Sequence, residues 1–434
     1  MHKNIKKMKF LLTLVCSVLL LVSCHHNDDP GGYTPPQKAT RSVMVYMAGE
    51  NNLTYSNGYR FLRSDLDEII EGSKLLKDDE RLFVFVDSLN TNNLESGKPF
   101  IAEVHGGELS VCMEFSSDFY SCDPDRFQEV LQWMTNKAPA DSYGLVLWGH
   151  ASGWAVSTDT IAQSGARETR AYGQDNGTDH TVGNGTKWMN ITQMAKALAK
   201  LPKLEFIFAD CCNMMCAEVG YELRNVTNYL IGSPAEIPGN GAPYDQLIPY
   251  FFANGSQLYK GIIDTYYNYY IEDYKDDYLE GYSVPLSVIE TQYIGQLAQA
   301  THDVLNQFTG GYPTYPQYPN TSDIAFYWYY DTPIMYDMRA FVKTHVQEED
   351  FAKWEQAFKL AVPYHRMSME WMTIYSFLEW SFSGFNQDES IYGCVSMFIP
   401  KSTSTYQRGE FYYNSTYNNY GWNRALEWNR FGWP

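Results

Sequence analysis

Four unbroken apolar runs constrain this chain more than any other feature. Residues 41–48 (RSVMVYMA), 81–87 (RLFVFVD), 143–148 (YGLVLW) and 204–209 (LEFIFA) carry almost no polar residue on either side of the backbone. A strand with one wet face alternates apolar and polar residues. A strand that is apolar throughout must be covered on both faces. Residues 229–232 read as a fifth, shorter strand. Helical patterns lie between the strands. Leu66, Ile69, Ile70 and Leu75 give 66–76 a helical spacing, and 191–201 and 214–223 read as further helices. Asp123-Pro124 opens another, with Asp as N-cap and Pro at the first position, above an apolar face of Phe127, Val130, Leu131 and Met134. Gly106-Gly107 between 101–104 and 109–113 marks a hairpin. The alternation predicts an α/β fold, a mostly parallel sheet with helices on both faces.

In such sheets ligands sit beyond the carboxyl ends of the strands. His150 stands just past the strand at 143–148, and Asp210, Cys211 and Cys212 cap the strand at 204–209. A cysteine nucleophile works as thiolate and needs positive potential nearby. Two sources are expected for Cys212: the N-terminus of the helix from Met214, and His150, which would later protonate the leaving amine. Taken singly, each residue reads as structural, a small buried thiol and a strand-end hydrogen-bonder. Together, at matching strand ends, they point to catalysis. Cys211, Cys212 and Cys216 compete for the nucleophile's place.

The segment LVLWGHASGW, residues 145–154, resembles the His motif of the clostripain family, a strand ending in Trp-x-His followed by small residues and Gly-Trp. Asp210-Cys211-Cys212-Asn213-Met214 resembles that family's Asp-x-Cys-x-Met nucleophile motif. The similarity continues through Glu218, Tyr221, Glu222 and Leu223, then Gly232-Ser233-Pro234, and Pro238-Gly239-Asn240-Gly241-Ala242-Pro243-Tyr244-Asp245. It runs from about 43 to about 247 and thins beyond. The resemblance implies a caspase-like sheet, a cysteine endopeptidase acting on peptides or proteins, and Cys212 as the nucleophile that forms the thioester. It implies backbone N–H groups near Gly153 and Cys212 as the oxyanion donors.

Relatives in that family cut after Arg or Lys, and two acids are tied to that preference. Asp210 falls at one of those positions; Asn240 stands where the other acid is expected. A guanidinium prefers a bidentate carboxylate, so Asn240 weakens the expectation of a basic P1 residue. Asp210 has an equal reading as a cap on the next helix. Ala151 replaces the Gly usual after the His and is expected to narrow the site or shift the oxyanion geometry. Family members are often activated by cleavage after the His strand, where this chain has Arg167 and Arg170 in a polar stretch over 157–187. No cofactor is required by the resemblance. Some members respond to calcium, for which Asp175, Asp179 and neighbouring Asn residues offer oxygens, with a solvated acidic loop as the plainer reading.

The first two dozen residues read as an address. Lys3, Lys6, Lys7 and Lys9 precede an apolar run over 10–22 that is short for a membrane span. Leu21-Val22-Ser23-Cys24 resembles a lipobox, which implies a signal peptide over 1–23, lipid on Cys24 and a flexible tether over 24–40. Asp28 and Asp29 resemble surface-export signals. The expected location is the cell envelope, at the outer membrane or cell surface, with the protein anchored by lipid and not spanning. Cleavage removes four lysines and takes the formal charge from −19 to −23. So acidic a surface repels phosphate backbones and argues against nucleic-acid partners. Residues 41–252 form the expected catalytic core, and 253–434 complete or flank it. Cys112 and Cys122 are placed to pair across a hairpin or to remain buried thiols. Two rival functions stay open: an inactive peptidase fold used for binding, and a glycan-binding surface lipoprotein, suggested by the Tyr- and Trp-rich second half. No Gly-x-Ser-x-Gly elbow, Walker loop or His-Glu-x-x-His helix is present.

Overall fold

The structure is a computed structural model that describes residues 38–89, 98–155, 171–177, 185–273, 284–308, 318–327, 333–367, 371, 388–400, 417 and 420–431. The N-terminal part runs β1 (Ala39–Gly49), α1 (Phe61–Gly72), β2 (Glu80–Ser88), β3 (Phe100–His105), β4 (Glu108–Glu114), α2 (Pro124–Lys137), β5 (Ala140–Gly149), β6 (Tyr172–Asp175), β7 (Lys187–Met189), α3 (Ile191–Leu198), β8 (Leu204–Asp210), α4 (Ala217–Leu223) and β9 (Thr227–Gly232). There follow α5 (Tyr244–Phe251), α6 (Ser256–Asn268), β10 (Leu286–Glu290), α7 (Ile294–Phe308), β11 (Tyr336–Asp337), α8 (Met338–His345), α9 (Glu348–Ala361), β12 (Tyr364–Arg366), β13 (Ser396–Met397) and α10 (Gly421–Leu426).

One nine-stranded sheet organises these elements, in the order β12-β10-β9-β8-β5-β1-β2-β3-β4. The five central strands are parallel, and the edges are antiparallel: the β3–β4 hairpin on one side, β10 and β12 on the other. The apolar runs behave as their composition requires. Along β1, Met44, Tyr46 and Ala48 enter one buried layer, and Val43, Val45 and Met47 enter the other. The first layer holds the apolar faces of α2, α3, α4, α7 and α9; the second holds those of α1, α5 and α6. Asp123 caps α2 as expected, its carboxylate accepting from the Asp125 N–H at 2.8 Å. The mostly parallel α/β sheet covered on both faces is therefore the fold.

Several elements depart from the sequence-based expectation. The polar stretch at 157–187 holds strand β6, and β7 starts at its end. Residues 289–308 read as one helix from their spacing, but the structure opens this stretch with strand β10, whose Val288 and Ile289 pair with Ile231 and Leu230 of β9. Residues 391–400 read as a strand from their apolar content, and the structure keeps only β13, where Ser396 bridges to Cys216 and pairs with β11. The six described cysteines are all thiols, so Cys112 and Cys122 take the second of their two expected states. Residues 1–37, with the expected signal peptide and Cys24, lie outside the described residues, as do Arg167, Arg170 and Asp179.

The strand order reverses direction between β1 and β5. From β1 the chain moves to β2 on one side, then returns to β5, β8 and β9 on the other. Loops leaving two such strands part to opposite faces, and the gap between them is where α/β sheets take ligands.

Candidate active site

Strands β5 and β8 are neighbours in parallel register, with Trp148 opposite Asp210. His150 and Cys212 each stand two residues further on, so they leave the sheet at the same level of its carboxyl edge. Both are part-exposed. Cys211 and Cys216 are buried, and burial pushes both thiols well above their ordinary range. Of the three competing cysteines, Cys212 is the one a substrate can reach.

A residue that sequence reasoning did not single out completes this edge. Asn52, in the loop after β1, sets its amide oxygen 2.7 Å from His150 Nε2. An amide oxygen only accepts, so Nε2 carries a proton, and in the neutral ring Nδ1 is left with the lone pair. The loop that carries Asn52 is itself held down. Asn51 Nδ2 donates to the carbonyls of Ala48 (3.0 Å) and Gln174 (2.8 Å), and Thr54 Oγ1 donates to Gly49 O at 2.6 Å. The only hint in the sequence was a polar Gly-Glu-Asn-Asn turn after a buried strand. Its closeness to His150 follows from β1 and β5 pairing, which is not readable locally.

The helix expected to begin at Met214 begins instead at Ala217, with Cys216 as its N-cap. Cys212 thus precedes the helix by a turn, and the expected support from its N-terminus does not apply. The cause is competition for the backbone. Asn213 N–H donates to Ala235 O (2.9 Å) and Met215 N–H to Ser233 O (3.0 Å), while Asn213 adopts φ +61° and locks its side chain on Pro234 O. Gly153 packs against this turn. A Cβ on it would come within 2.3 Å of Asn213 O, and its φ is +57°, so glycine is required twice over. The loop after His150 and the turn after Cys212 therefore touch at Gly153. Ala151 does not narrow the site: its methyl is buried in the core layer and its backbone bridges to Tyr172.

Asp210 does not cap the next helix. Its carboxylate accepts from Tyr244 Oη (2.7 Å), Tyr266 Oη (3.0 Å) and the Ala242 N–H (3.2 Å). It thereby anchors the turn that carries part-exposed Asn240. Burial raises its pKa, against the pull of those three donors. A second acid lies beside it. Asp65 of α1 accepts from Trp148 Nε1 at 2.5 Å, while its Oδ1 is buried with no hydrogen-bond partner. Burial, then the Asp210 charge, push Asp65 well above the carboxylate range. Gly241 (φ +65°) covers the pair: a Cβ there would lie 2.6 Å from Asp65 Oδ2 and 3.1 Å from Asp210 Oδ2. Glu68, one helical turn along, is pushed up to about 7, chiefly by burial.

Asp175 is buried, not solvated, because β6 carries it into the sheet edge. Its oxygens accept from the Ser121 N–H (2.7 Å), Ser121 Oγ (3.1 Å) and the Gly177 N–H (2.9 Å). The group of described carboxylates that could hold a metal ion is instead Glu50, Asp87 and Asp118.

The sequence matches the family model described as the clostripain family over residues 45–433. Among solved structures it is similar to a secreted C11 cysteine protease from Bacteroides thetaiotaomicron in complex with an irreversible peptide inhibitor. That match has 28% identity, covers 90% of this chain and 99% of that one, and has a TM-score of 0.69. An inactive zymogen C11 protease from Parabacteroides distasonis matches at 23% identity, with the same coverage and a TM-score of 0.68, a likeness of fold alone. No curated protein matches. With a family match across nearly the whole described chain and a caspase-like sheet beneath it, the protein belongs to the clostripain family of cysteine peptidases.

Proposed function

We propose that the protein hydrolyses peptide bonds on the carboxyl side of Arg or Lys, through a thioester on Cys212. The observation that carries this reading is the matched placement of His150 and Cys212 beyond paired strands, with Asn52 tying down one nitrogen of the imidazole. Nδ1 of His150 takes the Cys212 thiol proton, and the thiolate adds to the scissile carbonyl. Backbone N–H groups at Gly153 and Cys212 hold the oxyanion. The tetrahedral adduct collapses as His150 gives its proton to the leaving amine, which leaves the acyl group on sulfur. Water then adds to the thioester with His150 as base, and the acid and the thiol are released.

The basic P1 preference is supported by Asp65 and Asp210, despite Asn240. A buried carboxylate oxygen without a partner is costly, and a guanidinium or ammonium reaching it offsets that cost. The acidic surface also steers cationic peptides inward. The cell-envelope location rests on the lipobox-like Cys24. Among the described residues no helix is long and apolar enough to cross a membrane.

A peptide library varied at P1, under reducing conditions, tests the reading on wild type, Cys212→Ala and Asp65→Asn. The expected result is cleavage after Arg and Lys in wild type, none in Cys212→Ala, and about a tenfold or greater loss of kcat/KM for Arg substrates in Asp65→Asn. Cleavage that persists in Cys212→Ala rejects the mechanism. Equal use of neutral P1 residues rejects the specificity.

A further inference from the structure

The loop after β1 touches the candidate site at both of its ends. Near its start, Asn52 meets His150 Nε2. At its far end, Phe61 opens α1 and lays its ring against Gly239, where a Cβ would come within 3.2 Å of that ring. Gly239 lies in the turn closed by the Gly241 N–H on Pro238 O, and Gly241 covers Asp65 and Asp210. The segment 53–60 therefore runs from the imidazole to the mouth of the acidic pocket.

Local chemistry makes this segment stiff. Asn57-Gly58 is a dipeptide that type I′ turns favour, and both residues take positive φ, +50° and +91°. Around them Ser56 and Tyr59 exchange both of their backbone hydrogen bonds, at 3.0 and 2.8 Å. The Leu62 N–H donates to Leu53 O at 3.0 Å and closes the base.

This small hairpin displays aromatic rings to solvent. Tyr55 is 48% exposed and Tyr59 57%. The other exposed large apolar residues among those described, Leu75, Val111, Tyr250 and Leu360, lie far apart in the chain. Tyr59 stacks on Phe61, with ring centroids 5.6 Å apart and planes 6° from parallel, and so extends the apolar wall that begins at Gly239. Clustered apolar surface of this kind marks a contact with a ligand, and rings already held by a stiff turn lose little freedom on binding.

The strand order says which part of a peptide meets them. Cys212 follows β8, His150 follows β5, and β1 lies on the far side of β5 from β8. The acyl half of the substrate stays on Cys212, and the leaving amine takes its proton from His150. The leaving half is thus the part that faces the loop after β1. We propose that Tyr55 and Tyr59, backed by Phe61, form a subsite for a large apolar or aromatic side chain at P1′, the residue after the scissile bond. This inference rests on the peptidase reading and adds to it a selection on the leaving side.

Peptides with Arg at P1 and Ala, Asp, Leu or Phe at P1′ test it, since kcat/KM includes the departure of that half. Wild type is expected to favour Phe and Leu over Ala by about tenfold in kcat/KM. Tyr59→Ala is expected to bring that ratio below about threefold, Tyr55→Ala to lower it as well, and Tyr59→Phe to keep it. A wild-type ratio near one, or an unchanged ratio in Tyr59→Ala, overturns the subsite. A preference that Tyr59→Ala moves at P2 and leaves alone at P1′ overturns its placement. Binding of the Phe and Ala peptides to Cys212→Ala protein separates recognition from chemistry. The Phe peptide is expected to bind about fivefold or more tightly, and adding Tyr59→Ala to remove the difference. Equal binding of the two peptides counts against the subsite. The expected difference in binding, with no cleavage by wild type, rejects the peptidase reading and leaves the aromatic subsite standing.

Discussion

His150 can act as a base only if its ring is held with one nitrogen open. Asn52 supplies that hold through Nε2, so its value is orientation and not charge. Asn52→Ala is expected to lower kcat by about tenfold with KM nearly unchanged, because the reacting groups remain but their geometry loosens. Asn52→Asp keeps the acceptor and should recover most of the rate. Its carboxylate raises the imidazole pKa, so the acidic limb of the pH–rate profile moves to higher pH. A purely structural role for Asn52 would lower stability and leave that limb in place. Cys212 and His150 were legible in the sequence because each ends a recognisable apolar strand. Asn52 and Asp65 were not. Their closeness to the site depends on β1 lying beside β5 and on which face α1 buries, and neither is encoded in their own neighbourhood.

At the scale of elements, α1 does two jobs. Leu62, Leu66 and Ile69 pack it on the sheet, and the same buried side carries Asp65 toward Asp210. Glu68 sits at the margin of that face, accepting from the Tyr244 N–H at 3.1 Å. Its pKa is about 7 in the folded chain, above its ordinary value of 4.5. The folded state therefore holds the proton more tightly than the unfolded one. Stability from this group is fully present below the ordinary value and is lost as pH rises toward 7. Glu68→Gln removes the charge and keeps an acceptor. Its thermal midpoint, relative to wild type, should rise between about pH 5 and about pH 8. A difference that stays constant over that range contradicts the assignment. The parallel strands were readable because a strand buried on both faces needs an unbroken apolar run. The antiparallel edge was not: β10 is five residues that run straight on toward α7, and β12 is three. The start of α4 was misread for a different reason. Helical spacing continues back to Met214, but the carbonyls of Ser233 and Ala235 take the N–H groups that a helix start would leave open.

Across the whole molecule, the second half of the chain supports the catalytic edge. Strand β10 extends the sheet beyond β9, and β12 closes that side. Ser396 N–H donates to Met215 O (2.9 Å), Phe398 N–H to Glu218 Oε1 (2.8 Å), and Tyr420 Oη to Trp154 O (2.6 Å). Trp154 itself, at the end of the loop after His150, is buried among Phe398, Tyr417 and Tyr420. The abundance of aromatics there, which in the sequence also suggested sugar stacking, is at these positions core packing. A chain ending at Phe252 would leave the β9 edge open and Trp154 uncovered. It is expected to lack a cooperative thermal transition, and a folded monomer of that length would contradict this view of the architecture.

Under the proposed mechanism Cys212, and neither of its neighbours, forms the covalent bond to substrate with His150 as its base. The most direct measurement is mass spectrometry of the protein after reaction with an Arg-terminated peptide carrying a thiol-reactive ketone. One adduct is expected, on Cys212, that is absent in Cys212→Ala and forms at least about a hundredfold more slowly in His150→Ala. An adduct on Cys211 or Cys216, or labelling of Cys212 at the same rate without His150, would contradict it.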